Sequence, residues 1–279
     1  MRPTVFGFDA WLLFWSLGAG VGTLVNFSLA RRNGLPRVRS ALALGAMGLV
    51  GLVGARVQFR VDLGLPLSGF LGNRGTRMAG GMLALAVISP LVLRVLRLPI
   101  GRLLDLIVFG ALVAMTVGRF GCLLAGCCFG TPTNLPWGVS FPAGSLAYHS
   151  HVFNHIVSPN ALRSAPVHPL QVYFAATTAS IAGLLLWLRR RASRDGEVFV
   201  WFLFLRSWAT VALESLRGMD LASPNNGSRS LDLFVALLVT PVWLVLVIAR
   251  VRGVLESTSP GTRVALPAFS ADERTPIDG

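Results

Sequence analysis

The chain has 279 residues, 53% of them hydrophobic and 13% charged, with 25 basic against 12 acidic side chains for a formal charge of +13. A composition this apolar excludes an ordinary soluble domain. The basic residues are all arginine and are dispersed along the chain, so the high charge does not describe a nucleic-acid-binding face.

Apolar runs long enough to cross a bilayer recur at about 8–30, 40–58, 78–96, 103–120, 168–188, 198–216 and 231–250. They predict an all-α, polytopic integral membrane protein with seven transmembrane helices in a single domain over 1–252. The first run is too long for the apolar core of a signal peptide, and its basic cluster follows rather than precedes it, so it reads as a retained span. Arg31, Arg32, Arg37 and Arg39 follow the first run, and Arg94, Arg97 and Arg102 follow the third. Arg189, Arg190, Arg191 and Arg194 follow the fifth, and Arg250 and Arg252 the seventh. Every odd-numbered span thus leads onto an arginine-rich loop, which predicts an N-out, C-in topology. The fringe also suits anionic lipid head groups.

Two outer loops are expected, at about 59–77 and 121–167. The second opens with GCLLAGCCFG, whose glycines Gly121, Gly126 and Gly130 suggest a broken or re-entrant segment. From 253 to 279 the chain turns polar, as a disordered cytoplasmic tail would.

The chemistry gathers in one third of the chain. Arg119 stands at the far end of the fourth apolar run, where a charge is expensive to desolvate and marks a functional candidate. Cys122, Cys127 and Cys128 follow it, then His149, His151, His155 and His168. The adjacent Cys127 and Cys128 disfavour a mutual disulfide, and no disulfide framework is visible. The three thiols admit three readings: soft ligands for zinc or copper together with a histidine, thiol chemistry through a redox or covalent intermediate, or plain packing as small apolar side chains.

GRFG at 118–121, GTPTNLPWGVSFP at 130–142 and HPLQVY at 168–173 together resemble the prolipoprotein diacylglyceryl transferase family. Further matches are GARV at 54–57, AGGM at 79–82 and ESLRGMD at 214–220, so the resemblance covers about 8–250. It implies a monomeric, multi-pass enzyme of the bacterial inner (plasma) membrane that acts without cofactor or metal. The donor would be phosphatidylglycerol or another anionic phospholipid, taken laterally from the bilayer. The acceptor would be the lipobox cysteine thiol of a prolipoprotein, with glycerol phosphate released. Arg119 matches the family's phosphate-binding arginine, and a guanidinium supplies the bidentate fork such a phosphodiester requires. Arg56 matches a second arginine, with Arg60 on the same helical face. His168 and Gln171 would orient substrate, with His168 also placed to take a thiol proton. Glu214 would hold the arginines, Arg217 lying one turn away.

The departures from the family pattern are equally specific. Ala79 stands where the family has a histidine proposed as general base. Thr210 replaces a second phosphate-contacting arginine, while Arg206, one turn earlier, replaces a tyrosine and returns a guanidinium to the same region. Leu12 replaces a tyrosine, Cys122, Ala125 and Cys127 replace two asparagines and a glutamate, and Phe174 replaces another glutamate. The expected cavity lies between spans two, three, four and six and opens to the outer leaflet. The losses keep two alternatives open: a paralogue with another thiol or nucleophile as acceptor, and a protein that only binds anionic lipid.

Overall fold

The structure is a computed structural model that describes residues 4–5, 8–66, 78–192, 194–218 and 227–258. Among the described residues, a short antiparallel pairing of β1 (Thr4–Val5) with β2 (Phe8–Asp9) precedes eight helices. These are α1 (Ala10–Arg32), α2 (Arg37–Asp62), α3 (Met78–Val95), α4 (Ile100–Ala125), α5 (Leu146–Phe153), α6 (Leu170–Arg189), α7 (Glu197–Glu214) and α8 (Gly227–Thr258). All but α5 coincide with the seven apolar runs. Among the described residues, five segments are long and apolar enough to cross a membrane: α1, α2, α4, α6 and Leu233–Arg250 within α8. The apolar part of α3, Gly80–Val95, is shorter, and α7 carries Glu197, Arg206 and Glu214. Large apolar side chains such as Leu24, Leu49, Val87 and Val245 face outward, an arrangement suited to lipid. The chain is a multi-pass helical membrane protein.

Helix ends follow local chemistry. Asp9 caps α1 by accepting from the amides of Trp11 and Leu12 at 3.0 and 3.2 Å. Asp105, on α4, caps α7 instead: its two oxygens accept from the amides of Gly196 and Phe199, each at 2.8 Å. α4 ends at Gly126, whose φ of 61° suits a residue without a Cβ.

Small residues set the main crossing, α1 on α4. A methyl at Gly22 would run into the carbonyl of Gly110, and one at Gly18 would lie 2.8 Å from the carbonyl of Ala114. Asn26 accepts from the Gly110 amide at 2.9 Å. Close backbone approach of this kind is how helices associate where lipid removes the hydrophobic drive. The α2–α3 pair repeats the device with Gly54 against Gly80, and Gln58 accepts from the Gly80 amide. α4 then packs on α6 and α7, and α8 covers α7 through Trp243, stacked on Phe204 with centroids 4.0 Å apart.

The core that joins α2–α3 to α1 and α4 lies at the arginine-loop end, around Leu35, Ala43, Met47, Leu93 and Leu103. A second cluster, built on Phe109, Ile181, Leu185 and Phe202, joins α4, α6 and α7.

Three expectations are changed here. Gly121 does not break α4, which runs unbroken to Ala125; the glycine admits Phe14, whose Cβ would be 2.9 Å from an added methyl. The 126–168 segment is built rather than loose, containing α5 and three isolated backbone bridges, with a fourth bridge from Gly130 to Arg217. The polar tail expected from 253 begins within α8, which continues to Thr258, and its remainder lies outside the described residues. Residues 67–77 of the first outer loop also lie outside them.

Candidate functional site

The site is assembled where the end of α4, the start of α6 and the end of α7 meet. After Gly126 the chain runs as an extended ribbon between the other two. The Gly130 amide donates to the carbonyl of His168 at 3.0 Å, and the His168 amide returns a bond to Thr131. On the other edge, the Thr131 amide donates to Leu216 at 2.8 Å and the Gly218 amide to Phe129 at 3.0 Å. Methyls at Gly130 and Gly218 would strike these neighbours, so the ribbon needs glycine on both sides.

The two sequence motifs also grip one another. Val139 and Val167 exchange both backbone hydrogen bonds, at 3.0 and 3.1 Å. The Trp137 indole donates to Tyr173 Oη at 2.7 Å, and that oxygen lies 3.3 Å from His168 Nδ1. His168 is therefore tied into a Trp137–Tyr173–His168 chain at the mouth of α6. His151, on α5, accepts at Nδ1 from the Ala165 amide at 3.1 Å and meets Phe129 edge-on. Desolvation by burial pushes its imidazole below the ordinary histidine value.

Inside, the organising side chain is Phe174. The Arg119 guanidinium lies over its ring at 4.1 Å from the centroid and that of Arg206 at 5.4 Å. Both arginines are buried, 7% and 4% exposed. Arg119 has no hydrogen bond or ion pair among the described residues; its neighbours are the ring and the thiols. Arg206 donates to Thr210 one turn on. Two buried guanidiniums about one aromatic ring make a locus whose charge calls for an anion.

Glu214 does not reach Arg119 or Arg206 through a hydrogen bond in this structure. It forms a bidentate pair with Arg217, the partner expected for it, three residues past the end of α7. Gln171, 1% exposed, donates from Nε2 to the Cys127 carbonyl at 2.6 Å, while its Oε1 is buried without a hydrogen-bond partner. Arg56 is half-buried on α2, which packs mainly on α3 and less on α1. Arg60 turns back to the Pro66 carbonyl at 2.7 Å from Nε, closing the end of α2. Ala79 lies in the first turn of α3, and its side chain lies outside the described set.

The three sulfurs converge. Cys122, Cys127 and Cys128 hold their Sγ atoms within 4.8 Å of one another. The turn at Gly126 returns the chain so that the Cys127 amide donates to the Cys122 carbonyl at 3.2 Å, and Cys128 adopts φ 56°. Trp15 Nε1 points at Cys122 Sγ from 3.5 Å. Sulfur contacts from Cys122 and Cys127 hold the Cys128 thiol well below its ordinary value, opposed by desolvation and assisted by the charges of Arg217 and Arg119.

The family model described as prolipoprotein diacylglyceryl transferase matches residues 5–251. The chain belongs to that family. Among its relatives, the phosphatidylglycerol–prolipoprotein diacylglyceryl transferase of Clostridium tetani is 37% identical over 42% of this chain and 41% of its own length. Transferase 2 of Clostridium perfringens is 29% identical over 51% of the chain and 50% of the relative. The Clostridioides difficile protein is 25% identical, with 77% of this chain aligned to 81% of the relative. In the first two alignments the chain spans half or less of the curated relative's length. Within this family frame, sequence reasoning treated Phe174 only as a lost glutamate. Its position one turn beyond Gln171 on α6 was the available signal for an inward-facing platform. Trp15 was missed altogether, since no local pattern relates α1 to a thiol 107 residues away.

Proposed function

We propose that the chain transfers the diacylglyceryl group of phosphatidylglycerol to a thiol, with the lipobox cysteine of a prolipoprotein as acceptor. The observation that carries this reading is the Arg119–Phe174–Arg206 cluster. A lipid phosphodiester brings one negative charge, and Arg119 offers it a forked donor set not already committed to a carboxylate. In a site screened from water these charges also stabilise the phosphate as it becomes a leaving group. Arg206 acts as the second cationic contact, in place of the arginine replaced by Thr210. Gln171 and His168 orient the substrate, His168 being fixed by Tyr173 and Trp137.

The same reading takes all seven long helices as spans, with the N-terminus outside and the chain in a bacterial inner membrane. The arginine-rich loops then lie in the cytoplasm, and the site at the opposite ends of α4 and α7 faces the outer leaflet. The core joining α2–α3 to α1–α4 is concentrated at the cytoplasmic end, which suits a lateral lipid entrance nearer the outer face.

The test is to incubate purified protein with phosphatidylglycerol vesicles and a lipobox peptide and to weigh the peptide by mass spectrometry. A diacylglyceryl adduct with equimolar glycerol phosphate is expected. Neither product forming while a competent family member yields both would overturn the proposal. Glycerol phosphate released without peptide adduct would overturn the lipobox acceptor specifically.

A further inference from the structure

We infer that Cys122, Cys127 and Cys128 form a three-sulfur site for a divalent zinc ion whose open fourth position binds the incoming acceptor thiol. This inference rests on the transferase reading above and supplies it with a missing part, since Ala79 stands where the family resemblance places a histidine base.

The geometry comes first. Three Sγ atoms within 4.8 Å of one another need only modest inward adjustment to ligate one ion at about 2.3 Å each. The backbone supports convergence: Gly126 in the left-handed region reverses the chain, and Cys127 and Cys128 return towards Cys122. Trp15 provides an indole N–H directed at Cys122 Sγ, an outer donor of the sort that orients a metal ligand. Gln171 holds the Cys127 carbonyl while its own buried Oε1 lacks a partner. That acceptor is available to a hydroxyl or amide of whatever enters beside the cluster.

Charge gives the valence. Arg217 and Glu214 cancel each other. Arg119 and Arg206 then bring two positive charges to the region. Three thiolates holding a divalent ion carry one negative charge, the coordinated acceptor thiolate a second and a lipid phosphodiester a third, and the two guanidiniums offset two of these. Cys128 is half-buried and forms the less covered side of the cluster. A three-ligand zinc with an open position is the arrangement of catalytic rather than structural zinc.

The chemistry balances without a redox partner. The acceptor thiol loses its proton to water as it coordinates, since a coordinating thiol is deprotonated. Its sulfur lone pair then forms a bond to the terminal glyceryl carbon of the diacylglyceryl group while the bond from that carbon to the phosphate oxygen breaks. The oxygen leaves with that electron pair as glycerol phosphate, beside Arg119, and the new thioether leaves the metal. Metal activation of the nucleophile replaces the missing base.

The experiment uses the full chain in lipid nanodiscs, loaded with zinc alone, desalted and assayed for metal by mass spectrometry and X-ray absorption. One zinc per chain with three sulfur neighbours is expected, as is thiolate-to-metal charge-transfer absorption when cobalt replaces zinc. Cys122→Ser, Cys127→Ser and Cys128→Ser should each lower occupancy at least tenfold, while His149→Ala, at an exposed position of α5, leaves it unchanged. Transfer should vanish on chelation and return with zinc. A wild-type protein that releases its zinc on desalting, or ligates it through nitrogen and oxygen alone, overturns the inference. Transfer persisting in zinc-free protein also overturns it while leaving the transferase reading standing. Zinc seated on three sulfurs in a protein that transfers nothing overturns the thiol-activating role and counts separately against that reading.

Discussion

Arg119 and Arg206 share the ring of Phe174, their guanidinium carbons 4.1 and 5.4 Å from its centroid. The two charges are thereby held within roughly 10 Å of each other, where their repulsion in a poorly screened interior is substantial. The ring's negative face offsets part of that cost, each contact contributing about 0.5–2 kcal/mol. Phe174→Ala should weaken phosphatidylglycerol use roughly tenfold, seen mainly in KM, whereas Phe174→Tyr should retain most of it. Phe174→Glu, which restores the residue of the family pattern, should place a carboxylate against both guanidiniums and compete with the lipid phosphate. Steady-state release of glycerol phosphate against lipid concentration distinguishes the three.

The Glu214–Arg217 pair is largely buried, with side chains 7% and 20% exposed. Removing one partner of a buried pair costs about 3–5 kcal/mol, whereas replacing both by apolar residues is far less damaging. Glu214→Gln and Arg217→Met should therefore each lower the Tm of detergent-solubilised protein more than the double substitution Glu214→Leu/Arg217→Met. A double variant no more stable than the singles would assign the pair a role other than mutual charge compensation.

His151 gives the outer segment a pH dependence of definite sign. Burial lowers its folded pKa below the ordinary value, so the folded protein binds fewer protons than the unfolded chain as pH falls through about 6.5. The stabilising contribution is complete above that value and declines from there down to the lowered folded pKa. Protonation also removes Nδ1 as acceptor for the Ala165 amide. Between pH 8 and about 5 the wild-type Tm should fall more steeply than that of His151→Gln, which keeps a polar side chain there but does not titrate. Parallel curves would contradict the assignment.

The legible part of this fold was the part governed by hydropathy. Each of the seven apolar runs is one long helix, because the bilayer criterion and the helical repeat operate on consecutive residues. The 126–168 segment resisted such reading: its Gly, Pro, Ser and His content resembles a loose loop, yet Ser145 caps α5 and Val139 pairs with Val167. Gly121 looked like an interruption but is a contact point for Phe14, a distinction that depends on a partner helix about 100 residues earlier. Within the site, Arg119 stood out because a charge at the end of an apolar run is conspicuous. Phe174 and Trp15 did not, since aromatic residues in apolar runs are ordinary until a cation or a sulfur is found beside them.

The most direct test of the guanidinium cluster is retention of phosphatidylglycerol by the intact protein, compared with phosphatidylcholine by native mass spectrometry, for wild type, Arg119→Ala, Arg119→Lys and Arg206→Ala. Wild type should retain the anionic lipid preferentially. Arg119→Ala should lose that preference and slow turnover roughly 100–1000-fold, with Arg119→Lys restoring little, because an ammonium offers neither the planar fork nor the stack. Arg206→Ala should give an intermediate loss. Equal retention of phosphatidylglycerol by wild type and Arg119→Ala, with turnover unchanged, would contradict the account at its centre.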